Sequence, residues 1–168
     1  RAYPITFEVL MHDLPQSSMA HFFEKNIPKQ VAKGTAQGEY VTVRSGIDKL
    51  IKGTHIDPFQ FEPCGYSMNG LVGNDHYSTI HITPEDFCSY ASFETNYSGD
   101  SNDSHAVATF YKNLVHRVLN VFAPGRFMIT MFDPNTKTTK VNIPTMKPYK
   151  CTSKNTWFNG LVHASSYT

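Results

Sequence analysis

A chain of 168 residues with 40% hydrophobic content is long enough to bury a core within one domain. Its 15 lysines and arginines nearly balance 14 aspartates and glutamates; a net charge of +1 without a basic stripe leaves no footprint for nucleic acid or an anionic membrane surface. No apolar run approaches the roughly 18 residues of a membrane span, and Arg1-Ala2-Tyr3-Pro4 leads straight into a strand pattern rather than a secretory signal.

In chain order, Ile5, Phe7, Val9 and Met11 alternate with Thr6, Glu8 and Leu10, which is the period of a strand. The abrupt strand start without an initiator methionine suggests a fragment or processed piece of a longer chain. Leu14-Pro15-Gln16-Ser17-Ser18 opens a short helix carrying Met19, Phe22 and Phe23. Residues 26–42 are polar and contain glycine, and read as a mobile loop. Ser45 to Ile51 reads as another short helix, ended by Gly53. Strands are expected near 57–68 and 77–83, joined through Leu71-Val72-Gly73-Asn74-Asp75, a segment of good turn residues. The next strand covers 87–95, with Phe87, Ser89, Ala91 and Phe93 facing away from Cys88, Tyr90, Ser92 and Glu94.

Asn96 to Ser104 is a polar loop ending in a helix N-cap, Asp103 or Ser104. Its two glycosylation-type triplets, Asn96-Tyr97-Ser98 and Asn102-Asp103-Ser104, read as chance without a secretory context. Val107, Phe110, Leu114, Val115, Val118 and Phe122 recur at helical spacing until Ala123-Pro124-Gly125 stops the helix. Arg126 to Phe132 is a strand, turned by Asp133-Pro134-Asn135 into Thr138 to Ile143, and a last strand spans Asn155 to Ser165. Hairpin-connected strands with two or three helices predict an α+β fold over residues 1–168: an antiparallel sheet with helices packed on one face. Cys64, Cys88 and Cys151, odd in number and without close spacing, fit reduced thiols in a cytoplasmic protein.

The chemistry concentrates in one hairpin. A turn centred near Asn74 sets Ser67 directly opposite His81, with Cβ atoms about 4.5–5.5 Å apart on one face and Glu85 just beyond. The plain alternative is an ordinary cross-strand polar pair. Thr6 and Glu8 share the polar face of the first strand, and Glu94 ends another; against a second sheet these acids would be partly buried, which is costly without a cation. The plain alternative there is a pair of solvated strand carboxylates. His76 and His81 lie an odd number of positions apart and point to opposite sheet faces; without Cys-x-x-Cys or His-x-x-x-His spacing, no metal site is expected.

Phe61-Glu62-Pro63-Cys64-Gly65-Tyr66-Ser67-Met68-Asn69-Gly70, Thr79-Ile80-His81-Ile82-Thr83-Pro84-Glu85 and Ser92-Phe93-Glu94-Thr95-Asn96 together closely resemble eukaryotic S-adenosylmethionine decarboxylase. The likeness extends through Ser45-Gly46-Ile47 and through Phe122, Pro124, Gly125 and Phe127. The resemblance implies the C-terminal half of a four-layer αββα sandwich, working with an N-terminal half or β chain. It implies a pyruvoyl cofactor, made when a proenzyme cuts itself at a serine upstream of this chain. The product is the aminopropyl donor for spermidine synthesis.

By the same resemblance Ser67 stabilises the cyclic intermediate of self-cleavage, and His81 removes the Cα proton that allows ester elimination. An imidazole titrates close enough to neutrality for such a base. Phe61 would stack on the adenine of S-adenosylmethionine, and Glu85 would accept hydrogen bonds from its ribose hydroxyls. Thr6, Glu8, Glu94 and Phe132 match the putrescine activator site. Pro4 departs from it, standing where activating members place an aspartate. Cys64 reads as structural, because the family's catalytic cysteine lies upstream.

Two other functions compete. One is an inactive regulatory paralogue that activates the enzyme by heterodimerisation, against which a homodimer is the alternative; the presence of Ser67, His81, Phe61 and Glu85 favours the active form. The other is a hydrolase using Cys64 and His81, whose register keeps them three strand positions from facing each other.

Overall fold

A computed structural model describes residues 4–101, 103–134, 148–157 and 162–168. The strands are β1 Thr6–His12, β2 Thr54–Gln60, β3 Tyr66–Val72, β4 His76–Thr83, β5 Tyr90–Thr95, β6 Arg126–Phe132, β7 Cys151–Trp157 and β8 Val162–Tyr167. All pair antiparallel in one sheet, in the order β2-β3-β4-β5-β1-β6-β8-β7. The helices are α1 Gln16–Met19, α2 Thr35–Ser45 and α3 Ser104–Phe122. The architecture is α+β.

Strand alternation builds the core. Phe7, Val9 and Met11 of β1 are buried, as are Ile80 and Ile82 of β4, Ala91 and Phe93 of β5, and Ile129 of β6. Against them lie Tyr111, Leu114, Val115, Val118 and Phe122 of α3. The rings of Phe7 and Tyr111 stack with centroids 4.6 Å apart. Asp103 is the N-cap of α3, its carboxylate accepting the Ala106 N–H at 2.8 Å. The helix ends where Ala123 turns left-handed and donates to the Leu119 carbonyl at 2.8 Å.

Several elements differ from the sequence expectation. Residues 26–42 are not one loop, since α2 occupies 35–45 between Gly34 and a left-handed Gly46. Its polar, glycine-bearing sequence hides a helix held by contact rather than by propensity. A Cβ on Gly38 would come 2.8 Å from the Pro58 carbonyl, so only glycine lets α2 lie this close to β2. The Thr42 and Tyr66 hydroxyls then meet at 2.6 Å. Gly38→Ala would gain roughly 1 kcal/mol of helix propensity but force the helix off the strand at about 1–3 kcal/mol. A lowered melting temperature in thermal unfolding is therefore expected, whereas a raised one would mean that the approach is slack.

The helix expected over 45–51 shrinks to a 3-10 turn at Ile47–Lys49, because Gly46 terminates α2 and reverses the chain. The strand expected over 57–68 divides into β2 and β3 around a reversal at 61–65. The strand expected over 87–95 begins at Tyr90; Asp86–Cys88 is a 3-10 turn, and Phe87 is 90% exposed rather than facing the core with Ala91 and Phe93. The final strand is two, with Asn155 of β7 paired to Ala164 of β8. The strand expected over Thr138 to Ile143 lies outside the described residues.

Candidate active site

The β3–β4 hairpin turns at residues 73–75, and its register pairs Ser67 with His81. Because Tyr66, Met68, Ile80 and Ile82 point into the core, Ser67 and His81 emerge on the sheet face that none of the described helices covers. Ser67 Oγ and His81 Nδ1 are 2.9 Å apart, a hydrogen bond.

Phe61 is placed by the reversal after β2. Its N–H donates to the Gly65 carbonyl at 2.9 Å, and Gly65 takes φ 105°, which strains any other residue. The N–H of Gly65 reaches the Phe22 carbonyl at 2.9 Å, tying the reversal to the segment after α1. The Phe61 ring stays half-exposed, its centroid 5.0 Å from that of Phe59. Glu85 follows Pro84 at the end of β4. Phe61, Cys64, Ser67, His81, Pro84 and Glu85 thereby line one open cleft of about 300 Å³. All four residues singled out in the sequence for catalysis and substrate binding share it.

Burial, followed by the Glu85 carboxylate beside it, pushes the Cys64 thiol up from its ordinary value. It is thus held as a thiol, and His81 turns to Ser67 instead of to Cys64. Neither half of a cysteine–histidine nucleophile is assembled.

The second predicted set also converges. Glu8 of β1 lies opposite Glu94 of β5, and Thr6 lies opposite Phe132 of β6. Tyr77 of β4 donates its hydroxyl to Glu94 Oε1 at 2.5 Å. Tyr77 was not singled out in the sequence, although it shares a strand face with His81 by even spacing. Burial, then the charge of Glu94, raises the Glu8 carboxyl above the usual carboxylate value. The cluster and the cleft sit on one face, since His81 pairs with Ser92, two residues or roughly 7 Å along β5 from Glu94.

A carboxyl raised in the native state binds its proton more tightly folded than unfolded. Its contribution is therefore most favourable below the ordinary value of 4.5 and is lost as pH rises through the raised one. Glu8→Gln removes a like-charge cross-strand pair, worth about 0.2–1 kcal/mol. It is expected to melt above the parent protein at pH 7, with the two converging below pH 4, read by calorimetry across pH. A constant difference at all pH values would exclude charge repulsion as its source.

His76 lies on the helix-covered side, its ring 5.5 Å from Tyr97, and points away from His81. Among the described residues no group of three His, Cys, Asp or Glu side chains could hold a metal ion. None of their helices is long and apolar enough to cross a membrane. Asn96, in a glycosylation-type triplet, uses its side-chain oxygen to accept the Tyr77 N–H at 2.7 Å.

Residues 2–160 match the profile of the family described as adenosylmethionine decarboxylase. The chain belongs to that family. Over 127 residues, 76% of this chain, it is 47% identical to the S-adenosylmethionine decarboxylase proenzyme of Dictyostelium discoideum, covering 29% of it. It is 42% identical over 127 residues to the corresponding proenzymes of Drosophila melanogaster and Xenopus laevis, covering 32% and 33% of them. The chain thus spans about a third of the length of the curated relatives it matches. The crystal structure of the Trypanosoma brucei AdoMetDC-delta26 monomer superposes with a TM-score of 0.75 at 26% identity, over 98% of this chain and 65% of that one. The adenosylmethionine decarboxylase fold thereby accounts for the sheet and its helix layer.

Proposed function

We propose that this chain is the C-terminal half of a pyruvoyl-dependent S-adenosylmethionine decarboxylase, formed by self-cleavage of a longer proenzyme. The observation carrying this reading is the 2.9 Å contact between Ser67 and His81, flanked in one cleft by Phe61 and Glu85. In the tautomer where Nδ1–H donates to the Ser67 oxygen, Nε2 keeps a lone pair for proton abstraction. The Ser67 hydroxyl then remains free to donate to an oxyanion. One hydrogen bond thus prepares both an oxyanion donor and a base, the two groups that serinolysis requires.

The donor set fits a neighbouring pyruvoyl group supplied by another segment: an exposed hydroxyl and imidazole, with no lysine among the described residues lining the cleft to compete for its carbonyl. That group, when present, supplies the electron sink for loss of carbon dioxide. The residues of this chain bind and orient. Phe61 offers an exposed aromatic face to adenine, and Glu85 offers two acceptor oxygens to a ribose diol.

The uncovered face is where a second half would pack, completing a four-layer sandwich. Phe59, Phe61, Leu71, Met128 and Phe132 all lie there, between 39% and 61% exposed. Closing that face would bury Glu8 and Glu94 further, and a diamine such as putrescine would offset their charge, with Thr6, Tyr77 and Phe132 around it. Pro4 leaves the set one carboxylate short, so weaker binding than in a three-acid site is expected. Cys64, Cys88 and Cys151 are all free thiols, which fits a reducing cytoplasm.

Intact mass of the complete protein tests the reading. Two chains, one beginning with a pyruvoyl group, are expected. A single uncut chain would instead mark the regulatory paralogue, whose role would be to pair with an active copy.

A further inference from the structure

Gln60, the last residue of β2, is only 2% exposed, and its neighbour Phe61 carries the ring that faces the cleft. The Gln60 amide nitrogen donates to two carbonyls, that of Phe22 at 2.8 Å and that of Phe61 at 3.1 Å. Both groups facing the nitrogen are acceptors, so the amide has one orientation; turned over, its oxygen would meet two carbonyl oxygens. Its own oxygen, Oε1, is buried without a hydrogen-bond partner among the described residues. An unpaired buried acceptor costs stability, and an apolar side chain of similar volume would avoid that cost. Stability alone therefore does not explain an amide at this position.

The Phe22 carbonyl is a firm anchor. Phe22 is buried, and its ring lies 5.6 Å from that of Tyr66, whose hydroxyl meets Thr42. The same carbonyl accepts the Gly65 N–H at 2.9 Å, and the Gly65 carbonyl accepts the Phe61 N–H at 2.9 Å. Both backbone polar groups of Phe61 are thus tied to one point, the N–H through Gly65 and the carbonyl through Gln60. The segment that follows grips the rest of the reversal. The Glu24 N–H donates to the Pro63 carbonyl at 3.0 Å, the Gln60 N–H donates to the Gly34 carbonyl at 3.3 Å, and the Lys33 ammonium bridges Glu24 and Glu62.

We propose that Gln60 is a positioning residue for substrate binding: by gripping the Phe22 and Phe61 carbonyls it fixes the direction in which the Phe61 ring faces the cleft. Gln60 itself points to the core side and acts through Phe61. With the peptide planes on both sides of the Phe61 Cα held, its Cα–Cβ bond has one direction. A ring held this way is ordered before the ligand arrives, so little ordering cost falls on binding. The inference rests on the proposed adenine role of Phe61.

The test uses the complete processed protein, with decarboxylation of S-adenosylmethionine as the readout. Stacking of a base on an aromatic ring is worth about tenfold or more in affinity, so Phe61→Ala is expected to raise KM by at least about tenfold. Gln60→Met removes the two donations together with the orphaned oxygen, and is expected to fold and self-cleave normally. Its KM should rise severalfold, by no more than that of Phe61→Ala, while kcat stays within about twofold of the parent. Gln60→Glu gives the comparison a second time, with the same reach but acceptor oxygens facing the two carbonyls. In the Phe61→Ala background, Gln60→Met should raise KM no further, since the ring through which it acts is gone. Full additivity of the two changes overturns the proposal, as does a fall in kcat with KM unchanged. A raised KM in Phe61→Ala with a normal one in both Gln60 variants overturns the positioning role alone. A normal KM in Phe61→Ala removes the adenine reading, and the positioning role falls with it.

Discussion

Replacing His81 by alanine in the complete proenzyme is expected to slow self-cleavage by about 10²–10⁴-fold, the usual worth of a positioned general base. The argument is geometric. The imidazole is fixed by one hydrogen bond to Ser67, and its second nitrogen is the basic group on the uncovered face of this hairpin. Without it the acyl shift to the serine oxygen can still occur, but the Cα proton has no acceptor. The chain should therefore accumulate as an ester, which hydroxylamine cleaves and intact mass detects. Ser67→Ala should act earlier, leaving an uncut chain resistant to hydroxylamine. Normal processing of His81→Ala would remove the base role, whereas loss of processing without a hydroxylamine-sensitive species would move His81 to the earlier step.

Phe7→Ala should cost the most stability of any single change considered. Phe7 is fully buried in β1, between β5 and β6, and its ring stacks on Tyr111 of α3 at 4.6 Å. Large-to-small changes at such sites remove about 3–5 kcal/mol, from lost transfer energy and the cavity left behind. The stacked pair adds roughly 0.5–1.5 kcal/mol beyond area. At about 2–4 °C per kcal/mol for a chain of this size, a drop near 10 °C or more in melting temperature is expected. Phe87→Ala is the internal contrast, since its exposed ring should leave stability within about 0.5 kcal/mol of the parent. Equal losses at the two positions would refute the assignment of the core to the helix-covered face.

The two halves of the site were legible to different degrees. Ser67 and His81 could be paired on paper because a turn at residues 73–75 sets a register by counting, and side chains alternate with a period of two. Thr6 and Glu8 could be put on one polar face by the same rule. Their meeting with Glu94 and Phe132 could not, because it requires β1 to sit between β5 and β6, and strand order is not written in spacing. Tyr77 was overlooked for a related reason. Its importance comes from facing Glu94, a partner contributed by the neighbouring strand.

Element boundaries failed where tertiary contact overrides local preference. Residues 35–45 carry glycine and polar side chains that argue against a helix, yet Gly38 is what allows α2 to pack on Pro58. Phe87 was assigned to the core face by alternation, but Pro84 and the turn at Asp86–Cys88 interrupt the strand before it. A continuous pattern over 57–68 concealed a reversal, because Pro63 and Gly65 were read within a strand rather than as a break.

By itself the sequence determined the family, the α3 helix, the face that β1 buries and the partnership of Ser67 with His81. All of these follow from short-range periodicity or from a contiguous motif. Only the tertiary structure decided the strand order, the course of α2, the opposition of Glu8 to Glu94 and the gathering of Phe61, Ser67, His81 and Glu85 in one cleft. Those features depend on contacts between segments distant in the chain, whose energies exceed the local preferences that spacing and composition record.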